Sequence, residues 1–353
     1  MKMLRWPVAI LLTVSCFAGQ RLQSITSSQT NTIVQKLAHD LSDYVFPEMD
    51  HTLQAYITQH SAEYLAIKDP KSLAEKLTDD LRAVGHDHHL QVTFGEELGI
   101  QKEPTPEEKQ RAHAFDEANG YGIRSARRLP GNIGYIDLAY FSPDEGAGKV
   151  VAAAMQLING TDALIIDLRR NGGGSGETAT AVLSYFFEEP RQLSSIIERK
   201  NGQMEERQKW TMPYVAGPRY IGKPIYILTS SHTHSAAELC AYDLQSMQRA
   251  KIVGSRTAGD ANSSKGVINL GFGFTALIPN GQTKSPITHG NWEGTGVQPD
   301  INVNAEEALL TTYTKVLRET KPSITGSEDL AQERLKAARD PQAALNQEID
   351  GSR

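Results

Sequence analysis

Ser235 stands in "SSHTHSAAEL" (230–239), where hydroxyl groups and two histidines run up to an apolar, helix-like segment. Two kinds of chemistry fit a serine there. Ser235-Ala236-Ala237-Glu238 has the form of a capping box, in which the serine oxygen and the glutamate carboxylate each meet an orphan backbone N–H. A helix start also favours developing negative charge, so the same serine suits nucleophilic attack if a base is within reach. Residue types alone leave both open. A second loop, "LRRNGGGSG", places Gly172, Gly173 and Gly174 after an apolar run. It lacks the Gly-Lys-Ser/Thr ending of a phosphate loop, and Gly172, Gly174 and Glu177 fit a dinucleotide spacing only loosely. A tight turn, or a backbone N–H presented to an oxyanion, are the readings left.

Histidines supply a third group. His86, Asp87, His88 and His89 lie together, and His232 and His234 precede Ser235. Neither set has the His-Glu-x-x-His spacing of a zinc site, and the chain is read as holding no metal and no cofactor. His234 adjoins Ser235, but neighbouring side chains at a helix start diverge, which makes it a poor base.

The elements that must position these groups follow from periodicity. Ile33, Val34, Leu37, Leu41 and Val45 recur at helical spacing up to Pro47. A second helix carries Leu53, Tyr56 and Ile57. A third starts with Asp69 as cap and Pro70 in its first turn, and lines up Leu73, Leu77, Leu81 and Val84. From Gly131 strands and helices alternate: strands at 132–141, 163–167, 224–230 and 250–255, helices at 146–158, 177–187 and from Ser235. Short apolar strands alternating with helices predict a largely parallel sheet, whose ligand sites gather beyond the carboxyl ends of its strands. A β-hairpin is expected within 266–279. The expected layout is a helical region at 25–104, a linker at 105–130, an α/β domain at 131–315, and a charged helical or disordered tail at 316–353 whose last stretch, "PQAALNQEIDGSR", is poorly ordered.

The N-terminus reads as an export signal: Lys2 and Arg5, an apolar run from Trp6 to Phe17, then cleavage after Ala18. A periplasmic or secreted protein with no transmembrane segment in its mature form is expected. Acylation at Cys16 is the weaker reading, since Thr13 stands where leucine belongs. Cys240 then remains as a packed core thiol. A formal net charge of -6 without a basic run excludes nucleic acid as an expected partner.

Taken in order, "ALIIDLRRNGGG", "YILTSSHTHSAAELCAYDLQ", "AKIVGSRTAGDAN" and "GNWEGTGVQPDI" resemble the S41 serine peptidases. The branch they look most like is that of interphotoreceptor-retinoid-binding-protein-like members, relatives of the tricorn core and of the C-terminal processing peptidases. "LAHDLSDYVFPEM" and "LTDDLRAVGHDHHLQV" resemble the helical domain of that branch, so the likeness runs from about 33 to 303. It implies a ClpP/crotonase-like α/β fold without a PDZ domain between Phe94 and Gly131. It also implies Ser235 as nucleophile, and oxyanion donors at Gly173 and Ala236 with Gly172 as the alternative. Processing peptidases use a lysine as base where this chain has Asp260, with Lys265 five residues on. Tricorn-like relatives bring a histidine from the helical domain and a late glutamate, here His89 and Glu293, although His88 stands where they have a serine. The function so implied is an exported serine endopeptidase that cuts peptide or protein substrates through an acyl-enzyme, its base titrating near 6.5 apart from what Glu293 contributes. The alternative from another class is a non-catalytic binding module for an apolar ligand, because the namesakes of the branch bind retinoids.

Overall fold

The structure, a computed structural model, describes residues 24–87, 89–95, 104–200, 202–263, 266–322 and 327–350. The export signal, with Cys16 and Ala18, His88 and Lys265 lie outside the described residues.

The helical region comprises α1 (Ser27–Asp40), α2 (Pro47–Gln59), a short α3 (Ser61–Ala66) and α4 (Pro70–Gly85). Asp69 caps α4 as expected, accepting from the Ser72 N–H at 2.8 Å, and Leu73, Leu77 and Leu81 are buried. Burying each such leucine contributes roughly 1.5–3 kcal/mol. The helix ends at His86 in the left-handed conformation (φ 51°), and a turn leads into β1 (Gln91–Phe94). β1 pairs antiparallel with the second strand of the expected hairpin, β10 (Val267–Gly271) and β11 (Phe274–Leu277). Ile33, Leu37, Leu53 and Leu77 therefore share one core with Leu270, Phe274 and Ala276, which welds the helical region to the later part of the chain.

The stretch expected as a linker is built into the fold. It forms α5 (Pro106–Ala118) and then β2 (Ile123–Leu129), an edge strand of the main sheet. Capping by Thr105 and Glu108 starts α5 despite its polar composition. β3 (Ile133–Leu138), β4 (Ala163–Asp167), β7 (Ile225–Thr229), β8 (Lys251–Gly254) and β13 (Ile301–Asn302) complete a six-stranded sheet of order β13-β8-β7-β4-β3-β2. Only the β2–β3 pair is antiparallel. β3, β4 and β7 are buried along their whole length, which is why they read as mainly apolar runs without alternation, broken by Asp137 in β3 and ended by Asp167 and Thr229 in β4 and β7.

Between α6 (Ala147–Ile158), α7 (Gly176–Leu183) and α8 (Ala236–Ser246) on one face lies the larger core, with Cys240 wholly buried in it. On the other face α9 (Ala308–Glu319), α10 (Glu328–Arg339) and α11 (Pro341–Asp350) pack through Tyr313, Val316, Ala337 and Leu345. The tail thus covers the sheet. Of its last stretch, expected to be poorly ordered, residues 341–350 form α11, with Ala344 and Leu345 buried there. A four-stranded sheet of order β6-β5-β12-β9 joins β5 (Gln192–Lys200), β6 (Gln203–Trp210), β9 (Asn262–Ser263) and β12 (Gly281–Lys284). No local pattern announced the β5–β6 hairpin.

Candidate active site

Three loops leave the carboxyl ends of the adjacent parallel strands β4, β7 and β8 and are stitched together. Thr233 Oγ1 donates to Leu168 O at 2.8 Å, His234 N–H to Asn171 O at 3.0 Å, and Ala258 N–H to Thr233 O at 3.1 Å. Ser235 is held there at the entrance to α8 with φ 51° and ψ -117°. Helix caps ordinarily take the extended region, so this backbone is strained, and such strain collects at functional sites. The serine is exposed.

Glu238, read from sequence only as a capping partner, is fully buried and fixes this geometry. Its carboxylate accepts from Ser235 N–H at 2.9 Å, Asp260 N–H at 2.9 Å, Gly259 N–H at 2.7 Å and Thr257 Oγ1 at 2.6 Å. It thereby ties the serine turn to the loop after β8.

The glycine loop lies against Ser235. A Cβ added at Gly173 (φ 97°) would come within 2.9 Å of Ser235 Cβ and 3.2 Å of Ala236 N. Ala236 is the first residue of α8, so its N–H has no partner within the helix. The Gly173 N–H donates to the buried Asn171 Oδ1 at 2.8 Å, and Gly172 is exposed.

His89 is set by the turn between α4 and β1, where its N–H donates to Asp87 Oδ1 at 2.8 Å. Its ring Nδ1 lies 3.1 Å from that same oxygen and 3.2 Å from Glu293 Oε1. Glu293 reaches it from the loop before β13. Trp292, 2% exposed, anchors that loop against Tyr242 of α8, with ring centroids 5.0 Å apart. Glu293 Oε2 accepts from Ala261 and Asn262 N–H at 2.8 and 2.7 Å. The structure therefore brings His89 and Glu293 together.

Three neighbours of His89 were not assigned roles from the sequence resemblance. Asp87, 5% exposed, is the second carboxylate on Nδ1, and its Oδ2 accepts from Tyr44 OH at 3.0 Å. Tyr44 in turn is held by Arg199 of β5, whose guanidinium donates to Tyr44 O at 3.0 Å and pairs with Asp50 at 2.6 Å. Asp260 Oδ1 faces His89 Nε2 at 3.7 Å, and its other oxygen bonds His234 Nδ1. An aspartate two residues before His89 was the only trace of this in the sequence. His86 caps α4, and His232 is exposed beside the serine loop.

Electrostatics follow from this crowding. Hydrogen bonds to Asp87 and then Glu293 outweigh burial and push the His89 imidazole up to about 10. Burial alone would raise the Asp87 carboxyl, but His89 and Tyr44 hold it below the usual carboxylate range. The Tyr44 hydroxyl is pushed upward by burial and by Asp87. The expected titration near 6.5 is thus displaced far upward.

Comparison with known proteins decides the family. Residues 132–303 match the model of Peptidase family S41, and residues 23–119 match the N-terminal domain of Peptidase S41 in eukaryotic IRBP. The chain belongs to peptidase family S41. The N-terminal match contains Asp87 and His89; the other contains Gly173, Ser235, Asp260 and Glu293.

Among S41 relatives, the chain is 31% identical over 178 residues to a carboxyl-terminal-processing protease of Synechocystis, covering 48% of this chain and 37% of that protein. It is 26% identical over 212 residues to the carboxy-terminal processing protease CtpA of Bacillus subtilis, covering 58% and 42%. The chain thus spans about two fifths of the length of these curated relatives. In fold it is similar to a protein from Parabacteroides merdae (17% identity, 86% of this chain and 100% of that one, TM-score 0.60). It is likewise similar to mature CPAF (15% identity, 82% and 96%, TM-score 0.53).

Proposed function

We propose that this chain is an exported serine peptidase of the S41 family that cleaves peptide or protein substrates through an acyl-enzyme on Ser235. In this mechanism Ser235 Oγ attacks the scissile carbonyl carbon while His89 Nε2 takes the hydroxyl proton. The oxyanion so formed lies at the N-terminus of α8, where the Ala236 N–H stabilises it together with a glycine-loop N–H, from Gly172 or from Gly173 once that N–H is released from Asn171 Oδ1. His89 returns the proton to the leaving amine, and water then hydrolyses the ester by the same route. Glu293 and Asp87 hold the Nδ1 proton and so fix the tautomer that leaves Nε2 able to accept.

One observation carries this reading: a strained, exposed serine at a helix start, packed against a glycine whose Cβ would strike it. A binder of apolar ligands has no use for that strain, nor for carboxylates grouped around an imidazole. His89 Nε2 faces Asp260, so Asp260 must turn aside as substrate settles; catalytic hydrogen bonds commonly tighten only in the complex. Substrate positioned over Ser235 and the turned Asp260 would complete the relay.

Turnover of a quenched fluorescent peptide library tests the proposal. The purified protein is expected to cleave peptides, with a loss of at least about 10⁴-fold in Ser235→Ala. Hydrolysis undiminished in a folded Ser235→Ala protein overturns it.

A further inference from the structure

We propose that Asp87, His89 and Glu293 form an inhibitory site for a zinc ion. Asp87 Oδ1, His89 Nδ1 and Glu293 Oε1 all lie within 4.8 Å of one another. Two carboxylate oxygens converge on one ring nitrogen, at 3.1 and 3.2 Å. A single proton on Nδ1 cannot make straight bonds to both. A cation bonded to all three can, and tetrahedral zinc with bonds near 2.0–2.1 Å sets its ligand atoms about 3.3 Å apart. One imidazole with two carboxylates is a donor set that zinc accepts, with the fourth place open to water.

The groups behind these donors are those a metal site needs. The second oxygen of Asp87 is occupied by Tyr44 OH, and the second oxygen of Glu293 by the Ala261 and Asn262 N–H groups. Each carboxylate therefore presents one oxygen inward. The other ring nitrogen of His89 lies 3.7 Å from a third carboxylate, Asp260, close enough to become, with a small shift, the hydrogen-bonded outer partner that metal-bound histidines commonly have. Sequence spacing could not expose this set, because Glu293 comes from a distant loop and neither histidine cluster completes it.

Resting on the relay proposed above, zinc at Nδ1 blocks catalysis. The neutral imidazole then keeps its proton on Nε2, turned toward Asp260, and has no lone pair with which to take the proton of Ser235. The Nδ1–H bond is broken and its proton passes to solvent, while the ion forms one bond to Nδ1 and one to an oxygen of each carboxylate; no oxidation state changes.

The binding arm of the test uses the Ser235→Ala protein, so that it does not depend on hydrolysis. Cobalt(II), as a coloured stand-in, is titrated by visible absorption, and zinc by competition with a chromogenic chelator. One ion per chain is expected, with affinity at least about tenfold lower in Asp87→Asn and in Glu293→Gln, and lower again by a similar factor with Tyr44→Phe. Circular dichroism and melting curves establish that each variant is folded. In the parent protein, zinc at the concentration that fills the site should suppress peptide turnover. Absence of stoichiometric binding, affinity unchanged in both folded carboxylate variants, or turnover unchanged or raised by zinc overturns the proposal. Hydrolysis that survives Ser235→Ala, with the cobalt titration as expected, would sink the serine mechanism and leave the metal site standing.

Discussion

Glu293 Oε1 lies 3.2 Å from Nδ1 of His89, while the other oxygen of the same carboxylate holds the Ala261 and Asn262 N–H groups. One side chain thus fixes the imidazole of the helical region to the loop that follows β8. Glu293→Gln keeps the shape but can turn an amide N–H toward the ring. Turnover is expected to fall by about a hundredfold, less than the ~10⁴ of a triad with a single carboxylate, because Asp87 still holds Nδ1. Steady-state kinetics check this, and the double variant with Asp87→Asn should fall further than either single change.

The pH dependence has a definite sign. His89 must be neutral to act as base, and its partners push it up to about 10. Activity of the free protein should therefore rise with pH through an apparent pKa near 10, and Asp87→Asn should move that limb to lower pH. The charged ring also stabilises the fold. Its contribution is complete below about 6.5, the unfolded value, and is lost as pH rises through about 10. Melting temperature should thus drop more between pH 7 and pH 10 in the parent than in His89→Ala. An activity limb near 6.5 in both the parent and Asp87→Asn would dismiss the two-carboxylate arrangement.

Strain at Ser235 separates the two alanine-sized questions asked of that residue. Glycine adopts a φ of about +50° freely, whereas alanine keeps the Cβ and loses the hydroxyl. If the turn stores about 1–3 kcal/mol, Ser235→Gly should be inactive yet melt above Ser235→Ala. Equal or reversed melting temperatures would show the turn to be relaxed.

Gly173 is expected to tolerate no side chain. An added Cβ, 2.9 Å from Ser235 Cβ on a backbone with φ 97°, must displace the nucleophile or the loop. Gly173→Ala should cost about 1–3 kcal/mol of stability and more than about a hundredfold in turnover. Calorimetry and kinetics on one preparation measure both.

Much of this fold was legible because burial on both faces leaves a plain signature. "ALIID" and "PIYILTS" open as apolar runs without alternation for the same reason that β4 and β7 are wholly buried. β6 is almost entirely exposed and charged, so its "QMEERQKW" carries no alternation to read. Its partner β5 nonetheless reaches the site, through Arg199, Tyr44 and Asp87. Likewise α11 has too few apolar residues to announce itself, and gains its place from Ala344 and Leu345 against the back of the sheet. Ser235 and the glycines could be singled out from local pattern, and His89 and Glu293 from family resemblance. Of the surroundings of the histidine, Asp87 lies two residues away on the same turn, whereas Asp260 on the other nitrogen arrives by tertiary packing.

Covalent labelling of the serine tests the proposed nucleophile most directly. The parent protein is treated with a fluorophosphonate at pH 9 and examined by intact and peptide mass spectrometry. One adduct, on Ser235, is expected, absent in Ser235→Ala and formed much more slowly in His89→Ala. A folded parent that takes up no label, or takes it up on another residue, would contradict Ser235 as the nucleophile.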